Sequence, residues 1–130
     1  MIRTLVVVAL LVLPSVAAFS QNKHAHNHGA VEKGPNGGQM VEAGDYHVEL
    51  LTSDGIVNVN VMDHDNKPMP TKGYKGVAIL SIDGKSQRIV LEPADASRLT
   101  GKAGGAVPRQ PKGVVQITPL SGKTVNARFN

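Results

Sequence analysis

A chain of 130 residues has room for one domain, and the absence of cysteine excludes a disulfide framework, a thiolate metal site and a lipid-modified N-terminal cysteine. Aromatic residues make up only 3%, so the core has to come from Val, Leu and Ile, whose β-branched members suit a pleated sheet. The net charge of +4 divides unevenly, from −5 over residues 21–65 to +8 over residues 66–130, and all five histidines lie in the acidic part. In the basic part the lysines are scattered among turns without interleaved aromatics, a pattern of solubility rather than of nucleic-acid binding.

The chain starts with the features of a secretory signal peptide over residues 1–20. Arg3 supplies a positive charge, residues 5–13 form an unbroken apolar run, and Pro14 precedes small residues. Ala18-Phe19-Ser20 fits a small-x-small cleavage site, with Ser15-Val16-Ala17 as a second. The apolar run is about half the roughly 20 residues that span a bilayer, so the expectation is a cleaved leader, no stable membrane anchor, and a periplasmic or secreted mature protein.

Residues 21–38 have no apolar period and are rich in Gly, Asn and His, so they read as a flexible His-rich tail. Within it His24, His26 and His28 alternate with other residues. Three imidazoles on a pliable backbone can turn toward one ion, and neutral imidazole is a ligand for Cu(II), Ni(II) and Zn(II).

From residue 39 to 130 the pattern changes to short apolar alternations punctuated by glycine turns. Strands are predicted at 39–43, 46–52, 56–62, 76–82, 87–91, 114–120 and 124–129. Gly44-Asp45 suits a type II′ hairpin loop and Asp54-Gly55 a type I′ loop, with Asp83-Gly84-Lys85 and Ser121-Gly122-Lys123 closing two later hairpins. Residues 92–112, with three prolines and three glycines, read as mostly loop with one helical turn over 94–99. The predicted fold is a small, Ig-like antiparallel β-sandwich of about seven strands.

Two-residue loops pair Val41 with Val48, Leu50 with Val59, and Val48 with Val61. One face then carries Val41, Val48, Leu50, Val57, Val59 and Val61, and a one-residue slip would scatter that set over both faces. A three-residue loop in the last hairpin pairs Val115 with Phe129 and Ile117 with Ala127. The middle hairpin is ambiguous, because either loop length leaves an apolar residue outside.

The same register builds the opposite face. One row runs Glu42, His47, Met62 and the next Met40, Glu49, Asn60, with directly opposed residues about 5 Å apart. Imidazole, thioether and carboxylate groups thus converge, with His64 just past a strand end as a peripheral candidate. Thioether with imidazole favours copper, and imidazole with carboxylate suits zinc, copper(II), cobalt or nickel.

The stretch Gly34-Pro35-Asn36-Gly37-Gly38-Gln39-Met40-Val41-Glu42, then Gly44-Asp45-Tyr46-His47-Val48-Glu49-Leu50, has the pattern Gly-Gly-x-x-x-Glu-x-Gly-x-x-x-x-Glu. With the preceding His tract it resembles the N-terminal periplasmic segment of heavy-metal efflux pump adaptor (membrane fusion) proteins, and small exported proteins sharing it, over about 30 residues. The family pattern has a histidine before Gly-Gly where this chain has Asn36. No long helical hairpin or lipoyl-like region of a full adaptor is found in the sequence. The resemblance implies handling of heavy-metal ions and a periplasmic efflux component as partner.

No phosphate-cradling loop, Gly-x-Ser-x-Gly elbow or nucleophile beside His47 or His64 is found, so the expectation is not an enzyme. The function expected is a periplasmic metal-binding protein, copper first and then zinc, nickel or cobalt, that sequesters the ion or hands it to efflux. The ligand set expected is His24, His26 and His28 in the tail, and His47, Met40, Met62, Glu42, Glu49 and His64 on the domain. The alternative is an exported β-sandwich that binds another protein and has no metal role.

Overall fold

Alternating Val, Leu and Ile residues with glycine-bearing turns leave the chain little choice but strands. The computed structural model describes residues 30–130, among which no helix occurs. The expected leader and His24, His26 and His28 lie outside the described residues. The strands are β1 Glu32–Lys33, β2 Gln39–Ala43, β3 Tyr46–Ser53, β4 Ile56–Met62, β5 Lys75–Ile82, β6 Lys85–Ala94, β7 Arg98–Lys102, β8 Lys112–Thr118 and β9 Val125–Phe129.

All pairings are antiparallel, in the order β1-β2-β3-β4-β7-β6-β5-β8-β9. The sheet curls on itself into a sandwich-like all-β fold. The corner is β6, which pairs with β5 over residues 85–91 and with β7 over residues 92–94, passing from one half to the other. Gly101 on β7 stands at this corner. A Cβ there would lie 2.4 Å from the Val90 carbonyl oxygen, so no larger residue fits without displacing backbone.

The inner faces meet in one core. Val41, Val48, Leu50, Val57, Val59 and Val61 come from β2, β3 and β4, and Ala78, Leu80, Ile89, Leu91, Val115, Ile117, Ala127 and Phe129 from the other half. The expected register of β2, β3 and β4 is the observed one, including Val41 with Val48, Leu50 with Val59 and Val48 with Val61. Asp54 and Gly55 both have positive φ, at 50° and 76°, as a type I′ loop requires, and Gly44 has φ 57° as a type II′ loop does.

Elsewhere the structure departs from the sequence reading. Among the described residues nine strands replace the expected seven. Glu32–Lys33, within the stretch read as tail, pairs with β2. In the segment read as mostly loop with a helical turn, β6 continues to Ala94, and Arg98–Lys102 forms β7 between β4 and β6. Pairing on both sides and the full burial of Leu99 outweigh a local composition that disfavours strand.

The last hairpin pairs Val115 with Ala127 and Ile117 with Val125, two residues from the expected register. Its loop is longer than three residues and contains a turn closed by Gly122 N–H to the Pro119 carbonyl at 2.9 Å. A two-residue shift keeps every side chain on its own face, so alternation could not reveal it. The middle hairpin resolves to the two-residue loop Asp83-Gly84, with φ 52° and 75°, and leaves Ile79 and Val90 outside.

Candidate metal centre

The outer face of β2, β3 and β4 is only partly open to solvent. Residues 30–38 cover one part and the loop after β4 another, so Met40, Glu49 and Met62 are buried although they point away from the main core. In the remaining gap Glu42 pairs with His47, and His47 with Met62, as the register predicts. The His47 Nε2 stands 3.3 Å from Glu42 Oε1.

His64 completes the group from the loop after β4. That loop is tied down by its own first residue. The Asp63 carboxylate accepts from the Asp65 and Lys67 amides, both at 2.9 Å, the arrangement by which Asp initiates a tight turn. Asp63 N–H donates to the Lys67 carbonyl at 2.9 Å, and Met69 N–H returns to the Val61 carbonyl at 2.9 Å. So held, His64 brings Nδ1 to 3.9 Å from the same Glu42 oxygen, and its ring meets His47 edge-on with centroids 5.5 Å apart.

One donor atom each from Glu42, His47 and His64 lies within 4.8 Å of the others. Two ligands at about 2.0–2.1 Å from a tetrahedral ion stand about 3.4 Å apart. The His47–Glu42 separation already matches that, and the 57%-exposed His64 side chain has the freedom to close the rest. Two imidazoles and a carboxylate make a borderline ligand set, suited to zinc, copper(II), nickel or cobalt.

Glu49 has a different task from the one the sequence reading gave it. Its fully buried carboxylate accepts four hydrogen bonds, from Asn36 N–H at 2.9 Å, Gly38 N–H at 3.0 Å, Asn36 Nδ2 at 2.7 Å and Asn60 Nδ2 at 3.4 Å. A buried carboxylate needs such partners, and here they form the seat of the 34–38 loop. That loop closes through Gly34 N–H to the Gly38 carbonyl at 2.8 Å. A Cβ on Gly34 would fall 2.3 Å from Glu49 Oε1, so the loop packs on the carboxylate only because that residue is glycine.

The Gly-Gly-x-x-x-Glu-x-Gly-x-x-x-x-Glu pattern therefore divides into two parts. Gly37, Gly38 and Glu49 build a loop anchor, whereas Glu42 belongs to the donor cluster on the hairpin that Gly44 turns. Asn36, the residue before Gly-Gly, is bound to Glu49.

Of the expected ligands, the structure gathers Glu42, His47 and His64, the last of which the sequence placed only at the periphery. Met62 is the cross-strand neighbour of His47 and is buried. Met40 lies in the neighbouring row between Glu32 and Glu49. The sequence reading missed Asn66, whose Oδ1 is 2.6 Å from His47 Nδ1. The available signal was the Asp63–Asn66 turn itself, since Asn tolerates the positive φ of 59° found there. No protein-family model, curated protein or solved structure matches the chain.

Proposed function

We propose that the protein binds a transition-metal ion outside the cytoplasm, copper first and zinc, nickel or cobalt after it, and sequesters it or passes it to an efflux component. The observation that carries this reading is the approach of the Glu42, His47 and His64 donor atoms to within 4.8 Å of one another. Copper leads because Cu(II) heads the affinity order of divalent first-row ions at nitrogen and oxygen sites. The half-exposed His64 leaves the site open on one side, which suits uptake and release better than permanent storage.

His24, His26 and His28 act in this reading as the capturing group. His28 is only four residues before β1, and β1 pairs beside Met40 on the strand that carries Glu42. Such a short tether gives the tail a high effective concentration at the domain site and favours transfer between them.

Titration with Cu(II), Zn(II), Ni(II) and Co(II) tests the proposal. The chain carrying His24→Ala, His26→Ala and His28→Ala should still take up one ion, and adding His47→Ala with His64→Ala should abolish that uptake. No binding at micromolar metal in the unsubstituted protein would sink the reading. The second reading, an exported module that docks another protein, is favoured by Leu120, 77% exposed, beside a groove that Tyr46 and Tyr74 also line. Ion binding that depends on His47 and His64 belongs to the first reading alone.

A further inference from the structure

His47 faces an oxygen at each ring nitrogen. Nδ1 is 2.6 Å from Asn66 Oδ1, and Nε2 is 3.3 Å from Glu42 Oε1. A neutral imidazole carries one proton and donates to only one of them, while an amide oxygen and a carboxylate oxygen both accept. The shorter contact favours the proton on Nδ1. Nε2 then turns its lone pair toward Glu42, the geometry in which one cation is held by both.

We propose that Asn66 is a positioning residue of the metal site: its amide oxygen holds His47 in the Nδ1–H tautomer and so leaves Nε2 as the ligand atom. The inference rests on the metal reading and adds to it a determinant of affinity that does not itself touch the ion. Histidine ligands commonly depend on such a partner at the other ring nitrogen, and its loss typically weakens binding by about 10–100-fold.

The turn supports this role. Asn66 N–H donates to the Asp63 carbonyl at 3.0 Å, and Asp63 Oδ1 accepts from the amides of residues 65 and 67. The same turn carries His64 two residues earlier, so one short loop both delivers a donor to Glu42 and sets the proton on His47. Ordering that loop thereby readies two of the three ligands together.

The positive φ at residue 66 decides which variants are informative. Asn66→Gly removes the amide and keeps the backbone conformation, and Asn66→Asp keeps an oxygen acceptor on a side chain that tolerates it. Both are made in the full chain with His24→Ala, His26→Ala and His28→Ala, so that the domain site alone reports, and backbone amide spectra check the fold.

In the metal-free parent, nitrogen-15 spectra of the imidazoles should show His47 as Nδ1–H, and Asn66→Gly should move it toward Nε2–H. Zinc affinity should fall about 10–100-fold in Asn66→Gly and hold or rise in Asn66→Asp. A parent His47 found as Nε2–H overturns the inference, as does zinc binding in Asn66→Gly equal to the parent's. If the parent binds zinc and Asn66→Gly binds it equally, the positioning role alone falls. If the parent takes up neither zinc nor copper(II), the domain site falls and takes the positioning role with it.

Discussion

Replacing Glu49 by glutamine should loosen the 34–38 loop while sparing the metal cluster. Glu49 Oε1 accepts from the Asn36 and Gly38 amides, and Oε2 accepts from the side-chain amides of Asn36 and Asn60. A glutamine can keep its oxygen in the first position, but its NH2 then faces two other NH2 groups that need an acceptor. Hydrogen bonds to charged groups contribute about 1.5–3 kcal/mol each, and the 3.4 Å contact from Asn60 is the weak member, so the expected loss is about 2–4 kcal/mol. For a domain of this size that lowers Tm by about 10 °C or more.

Urea unfolding measures the loss, and hydrogen exchange at the Asn36 and Gly38 amides locates it, because the loop should open before the sheet does. Zinc binding by the folded variant should match the parent, since Glu42, His47 and His64 are untouched. A stability change under about 1 kcal/mol with both amides still protected would refute the anchoring argument. Zinc affinity lost along with Glu49 would restore it to the ligand set.

Two further outcomes test the fold around the site. Gly101→Ala sets a Cβ 2.4 Å from the Val90 carbonyl and 2.8 Å from Ile89 Cγ2, so overpacking at the corner should cost about 2 kcal/mol or more in urea unfolding. Burial first, and then the hydrogen bond and charge of Tyr46, hold the Tyr74 phenol above its ordinary 10.0. Its folded pKa being raised, the stabilisation is complete below about pH 10 and is lost as pH rises through the folded value, so Tyr74→Phe should flatten the alkaline limb of a stability–pH curve.

The donor cluster was legible in part because its scaffold was local. Gly44-Asp45 and Asp54-Gly55 dictate two-residue loops, and with Val41, Val48 and Val59 on one side they place Glu42, His47 and Met62 in one row on the other. Neither Glu42 nor Glu49 differs in that pattern, as both sit on the outer face of the same hairpin. Their separation into a donor and an anchor depends on residues 34–38 folding back over one and not the other. His64 and Asn66 likewise reach His47 through a turn whose path no periodicity describes.

By itself the sequence determined the all-β class, the three-strand register and the face on which His47 lies, because side-chain alternation and tight-turn chemistry act between near neighbours. Tertiary structure alone decided that Leu99 is buried in a strand, that β8 and β9 pair two residues from the expected register, and which polar groups on the outer face are already satisfied. Those outcomes depend on segments distant in sequence competing to cover the same surfaces, and a two-residue shift or a returning loop leaves the local pattern of apolar and polar residues unchanged.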